Sequence, residues 1–106
     1  MNNSSQRNEC LLCAIGSYSE PEHKRTELMS TLLGNSILKS TDILKEMDLI
    51  IQDFQANMRY QYEIYAYKNP PDFKTYKQTL KHYISVTYPW IDEITFSSLY
   101  GCFSYR

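Results

Sequence analysis

The clearest periodic signal in the chain runs from Thr41 to Lys68, within its longest stretch free of glycine and proline. At roughly 100° per residue, Ile43, Leu44, Met47, Ile50, Ile51, Phe54, Met58, Tyr62 and Tyr65 fall on one side of a helix, as expected of a stripe lying on a core. The other side is mixed. Leu49, Ala56, Tyr60, Ile64 and Tyr67 share an arc with Asp42, Glu46 and Asp53, so a second packing surface and a partner-binding face both fit. Ser40 or Thr41 is the expected cap of this central helix. Arg59 to Tyr67 also alternates and is rich in tyrosine, which keeps a strand open as an alternative there. Met58, Tyr62 and Tyr65 continue the helical stripe in register, and helix is the favoured reading.

Shorter patterns flank it. Met1 to Asn8 is polar and expected to fray. Ser4 or Ser5 opens a short helix through Ile15, with Gly16 as its left-handed stop. Ser19-Glu20-Pro21-Glu22 reads as a capping box, followed by Leu28, Met29, Leu32, Leu33 and Ile37 at helical spacing. Gly34-Asn35 ends that helix, with Ile37 and Leu38 expected to fold in behind it. His23, Lys24 and Arg25 stand in its first turn, the wrong end for cations beside a helix dipole.

Asn69-Pro70-Pro71-Asp72 breaks the central helix and restarts the chain as a helix from Phe73 to Thr87. There Phe73, Tyr76, Leu80, Tyr83 and Ile84 share one side, while Lys74, Lys77 and Lys81 share another. Pro89 in Tyr88-Pro89-Trp90 is expected in the first turn of a last helix, Ile91 to Tyr105. Apolar residues surround that helix almost completely, the mark of a buried one. The predicted fold is all-α: one domain over 1–106, an irregular bundle of four to five helices with a long central helix and a buried C-terminal helix.

Composition narrows the class. The chain has 106 residues, three glycines, ten tyrosines and a net charge of −1. That balance suits neither a disordered chain nor a strongly basic nucleic-acid binder. Scarce glycine argues against phosphate-cradling loops. Tyrosine joins a large apolar body to a polar tip and suits half-buried positions and interfaces. No stretch approaches the ~20 apolar residues of a membrane span. Three cysteines with no secretory signal point to free thiols in a reducing compartment, and a cytoplasmic location is expected.

Candidate chemistry is sparse. Cys10 and Cys13 have zinc-compatible spacing, and Cys102 with His23 or His82 would complete four ligands, but the second close pair that structural sites use is missing. Lys81 and His82 lack the positioned carboxylate or nucleophile that acid–base catalysis needs. No enzyme activity, metal or cofactor is expected. Lys74, Lys77 and Lys81 beside Tyr76 and Tyr83 form a basic, aromatic face. It offers an alternative reading as a nucleic-acid-binding regulator, less favoured because three lysines release few counterions.

The C-terminal stretch, from Tyr88-Pro89-Trp90 to Leu99-Tyr100-Gly101-Cys102-Phe103-Ser104-Tyr105-Arg106, resembles small bacterial immunity proteins. These are encoded beside polymorphic toxins, including those of contact-dependent growth inhibition. The resemblance implies an intracellular protein that binds a cognate toxin domain, often a nuclease, and neutralises it. On the residues themselves, Asp42, Glu46, Asp53, Tyr60 and Tyr67 are the expected partner-binding set. Acids steer association with a basic partner, and tyrosine is enriched where binding energy concentrates.

Overall fold

A computed structural model describes residues 4–104. The fold is all-α, with five helices and no strand among the described residues: α1 (Ser4–Gly16), α2 (Glu22–Leu33), α3 (Ile37–Tyr65), α4 (Phe73–Thr87) and α5 (Glu93–Phe103). The chain divides into two compact units, Met1–Ile51 and Gln52–Arg106. The long helix α3 supplies its first half to one unit and its second half to the other. Of the start expected to fray, residues 1–3 lie outside the described part and Ser4–Asn8 are helical. Asn8 is buried there, its side-chain amide donating to the Ser4 carbonyl at 2.7 Å.

In the first unit α1 packs on α2. Cys10, Leu11, Ala14 and Ile15 are buried on α1, Met29 on α2, and Leu44, Met47, Ile50 and Ile51 on α3. The α3 stripe is the one its periodicity predicts. Helix ends are where local reading and structure part. Gly34 does end α2 as expected, at φ 64°, with its N–H donating to the Ser30 carbonyl. Among the described residues only this position is left-handed, and glycine adopts that backbone without strain. Gly16 is not left-handed; α1 runs through it.

Two cap assignments are corrected. The Ser19 capping box does not form, because α2 begins at Glu22 after an extended Pro21 and no side chain caps it. A turn from Ser17 to Glu20, closed by a 2.9 Å hydrogen bond, occupies the segment first. Likewise α3 starts at Ile37 rather than after Ser40. Ser36 Oγ accepts from the Lys39 N–H at 3.3 Å, while Thr41 Oγ1 donates back to the Ile37 carbonyl. Ser40 lies fully buried inside the helix. The earlier start leaves Ile37 and Leu38 in solvent instead of folded in behind α2.

In the second unit α4 packs on α5. Residues 59–65 are helical, so the strand alternative falls and the stripe continues through Met58 to Tyr62 and Tyr65. The rings of Phe54, Tyr76 and Phe96 share this core with Met58, Leu80, Ile84 and Leu99. Phe54 meets Phe96 edge-on at 6.3 Å, and Tyr76 meets both Tyr62 and Tyr100. Such pairs add to what burial alone contributes. The loop after α3 is drawn shut by the Asp72 N–H donating to the Tyr65 carbonyl. Asp72 then caps α4 and Asp92 caps α5, each carboxylate accepting an N–H three residues on, from Thr75 at 3.0 Å and Thr95 at 2.8 Å. Pro89 therefore sits ahead of the α5 cap, not in the first turn. Helix α5 is buried along Thr95, Phe96 and Leu99 only; Ile94 and Cys102 stay exposed. Apolar composition all round describes what a helix can bury, but burial needs an element on each side. Tyr105 and Arg106 lie outside the described residues.

Candidate interaction surface

The expected partner-binding residues do not share one fate. Within the second unit, Asp53 shares the helical arc of Asp42 and Glu46, where an exposed partner-binding acid is expected. It is half-buried instead. Its carboxylate accepts from the Tyr83 hydroxyl at 3.0 and 2.9 Å and from the Tyr88 hydroxyl at 2.6 Å. A carboxylate leaves water at tolerable cost when donors replace its solvation, and two phenols do so here. Asp53 thus joins α3 to α4 and to the turn that follows α4.

The phenols respond in turn. Burial first, then hydrogen bonding to the Asp53 carboxylate, pushes Tyr83 and Tyr88 above the ordinary tyrosine value of 10.0. The folded state therefore holds these protons more tightly than the unfolded chain. That stability is present below pH 10 and is lost as pH rises through the folded-state values. Absorbance titration of the native protein is expected to show phenolate appearing late, with the latest phase missing in Tyr88→Phe. A Tyr88→Phe titration that overlays the wild type would mean this hydrogen bond is absent in solution.

Tyr60 and Tyr67 are both open to solvent. They are 66% and 80% exposed, and Ile64, one turn beyond Tyr60, is also open to solvent. In the first unit Asp42 and Glu46 are exposed with Leu49 on α3, and Glu46 lies 3.8 Å from Arg7. The basic face is partly taken up internally. Lys77 Nζ stands 4.9 Å over the Tyr100 ring, and Lys81 pairs with Glu93, while Lys74 remains exposed.

One central residue escaped the sequence reading. Arg25, misplaced by helix-dipole logic, turns inward from α2 and is buried. Its guanidinium donates to both Asp48 carboxylate oxygens at 2.8 and 2.7 Å and to the Ala14 carbonyl at 3.0 Å. The Tyr18 ring lies beneath it at 5.2 Å. Three cations at the wrong end of a helix were the available signal that one of them has a stronger partner elsewhere.

Burial raises the thiol of Cys13 and pushes that of Cys10 up to about 11, the setting of packing residues rather than of reactive ones. All three cysteines are free, and no cluster of three or more His, Cys, Asp or Glu among the described residues is placed to hold a metal ion. No helix of the described residues is long and apolar enough to cross a membrane. Comparison with protein-family models, curated proteins and solved structures finds no match to the chain.

Proposed function

We propose that this chain is a protein-binding module of the immunity type, which holds a cognate toxin domain inside the cell and blocks it. The observation that carries the reading is the open end of α3 in the second unit. Tyr60 and Ile64 on α3 and Tyr67 in the turn beyond it stand in solvent, while Phe54, Tyr76 and Phe96 of the same unit are buried. Large apolar side chains grouped on a surface mark interaction sites, and tyrosine fills such sites with little rotamer entropy to lose. In the first unit, the exposed Asp42 and Glu46 add an acidic contribution that speeds encounter with a basic partner. The toxin as partner follows from the resemblance of Tyr88 to Arg106 to immunity proteins.

Co-expression with the adjacent open reading frame tests this. A stoichiometric complex on gel filtration and rescue of growth are expected. Tyr60→Ala with Tyr67→Ala should weaken that complex by on the order of 10- to 100-fold while the free protein melts as the wild type does. No complex with the neighbour removes the immunity reading. A complex indifferent to both substitutions moves the contact elsewhere.

A further inference from the structure

The first unit carries a second open surface, and it makes no use of Tyr60 or Tyr67. On α1, Glu9, Leu12 and Gly16 follow one another at spacings of three and four, along one side of the helix. On α2, Leu28 and Leu32 lie one turn apart. With Glu20 of the connecting turn these residues line an open groove of about 510 Å³.

Three features give the groove a character. Its floor is apolar: Leu28 and Leu32 are 43% and 42% exposed, an unusual state for two leucines one turn apart. It is accessible at Gly16, where a Cβ would meet nothing within 4 Å, so a partner can approach the backbone. Its surroundings are acidic. Of the residues that line it, Glu9 and Glu20 are exposed carboxylates and none is a cation. Of the cations of the same segment, Arg25 is taken by Asp48 and Arg7 lies beside Glu46, while Lys24 stands 3.7 Å from Glu20 and offsets part of its charge. A visitor meets an apolar middle, with Glu9 at one edge and Glu20, beside Lys24, at another.

We propose that the groove between α1 and α2 is the docking site of a basic amphipathic helix from a partner protein. The span from Glu9 to Gly16 is about 10 Å at 1.5 Å per residue, which accommodates two turns of a laid-in helix. Leucine-type anchors at i, i+3 or i+4, and i+7 fill the floor over Leu12, Leu28 and Leu32, the usual manner of helix-in-groove binding. Flanking lysines or arginines then face Glu9 and Glu20, and the attraction weakens as salt rises.

Two synthetic helical peptides with the same leucines test the proposal on the full-length chain, one flanked by lysines and one by glutamates. By fluorescence anisotropy at low salt, the lysine peptide should bind at least roughly tenfold more tightly. Leu28→Lys with Leu32→Lys should abolish that preference by driving out the apolar face and reversing the field. Glu9→Gln, at an exposed position with no part in the core, should reduce it more mildly. Amide resonances of Leu12, Gly16, Leu28 and Leu32 should shift on binding. Equal affinity for the two peptides, or shifts confined to other residues, overturns the proposal. So does concentration-dependent dimerisation abolished by Leu28→Lys, since the groove would then belong to a second copy of this chain. None of these readouts depends on Tyr60 or Tyr67, so failure here and failure of the immunity reading are separable.

Discussion

Phe54→Ala is expected to destabilise the protein by about 3–5 kcal/mol, the range for truncating a fully buried phenylalanine. Phe54 has no solvent exposure and meets the Phe96 ring edge-on. Alanine in its place removes that ring contact and leaves a cavity in the core. At the size of this chain, such a loss lowers the melting temperature by on the order of 15 °C or more. Tyr60→Ala, six residues along the same helix, removes a side chain that is 66% exposed and should change stability by about 0.5 kcal/mol or less. Chemical denaturation of both variants checks the pair. If Tyr60→Ala unfolds the chain as readily as Phe54→Ala does, the outer side of α3 is core, and the proposed contact surface fails with it.

That contrast is legible in the sequence, and the reason is length. Over many turns, the 3.6-residue period averages out local exceptions, so the α3 stripe from Leu44 to Met58 was readable position by position. The restart of the chain at Phe73 was readable too, because proline restricts the backbone whatever lies around it. Helix starts were not. Ser36, Ser40 and Thr41 are all good caps, and nothing local says that Ser36 takes the role while Ser40 is buried. The α5 reading failed for another reason: hydropathy reports what a helix offers to bury, not how many neighbours it finds, and Ile94 is left in water.

The site residues divide along the same line. Exposure at Tyr60 follows from helix phase, which sequence carries, whereas Tyr67 is exposed in the turn past the end of α3. Capture of Asp53 depends on Tyr83 and Tyr88, 30 and 35 residues away. Long-range polar pairs have no period, and a helical wheel is blind to them. Arg25 is the sharper instance, since its acceptor Asp48 is 23 residues distant and its own position contradicted the helix dipole. A local inconsistency of that kind is itself information, because chains tolerate a poor local choice where a tertiary contact outweighs it.

Arg25→Met tests how much that contact is worth. The guanidinium bridges three helices of the first unit, α2 carrying it, α1 accepting through the Ala14 carbonyl, and α3 through Asp48. Its removal strands a carboxylate whose side chain is only 23% exposed, and leaves the Ala14 carbonyl short of a donor. Breaking one side of such a pair destabilises by about 3–5 kcal/mol when burial is complete. Asp48 keeps some water and Arg25 Nε has no hydrogen-bond partner among the described residues, so about 3 kcal/mol is expected. Arg25→Lys should fall between, because an ammonium keeps the charge but not the two-pronged geometry. The decisive variant is Arg25→Met with Asp48→Leu, which removes both charges together and should recover most of the loss. Recovery identifies the stranded carboxylate as the origin of the damage; a double variant as unstable as Arg25→Met would place it in lost packing against Tyr18 and Ala14. The same series bears on the α1–α2 groove, since Arg25 ties α2 to α1 through the Ala14 carbonyl, and a variant that loses this tie should lose the lysine-peptide preference before it loses its helices.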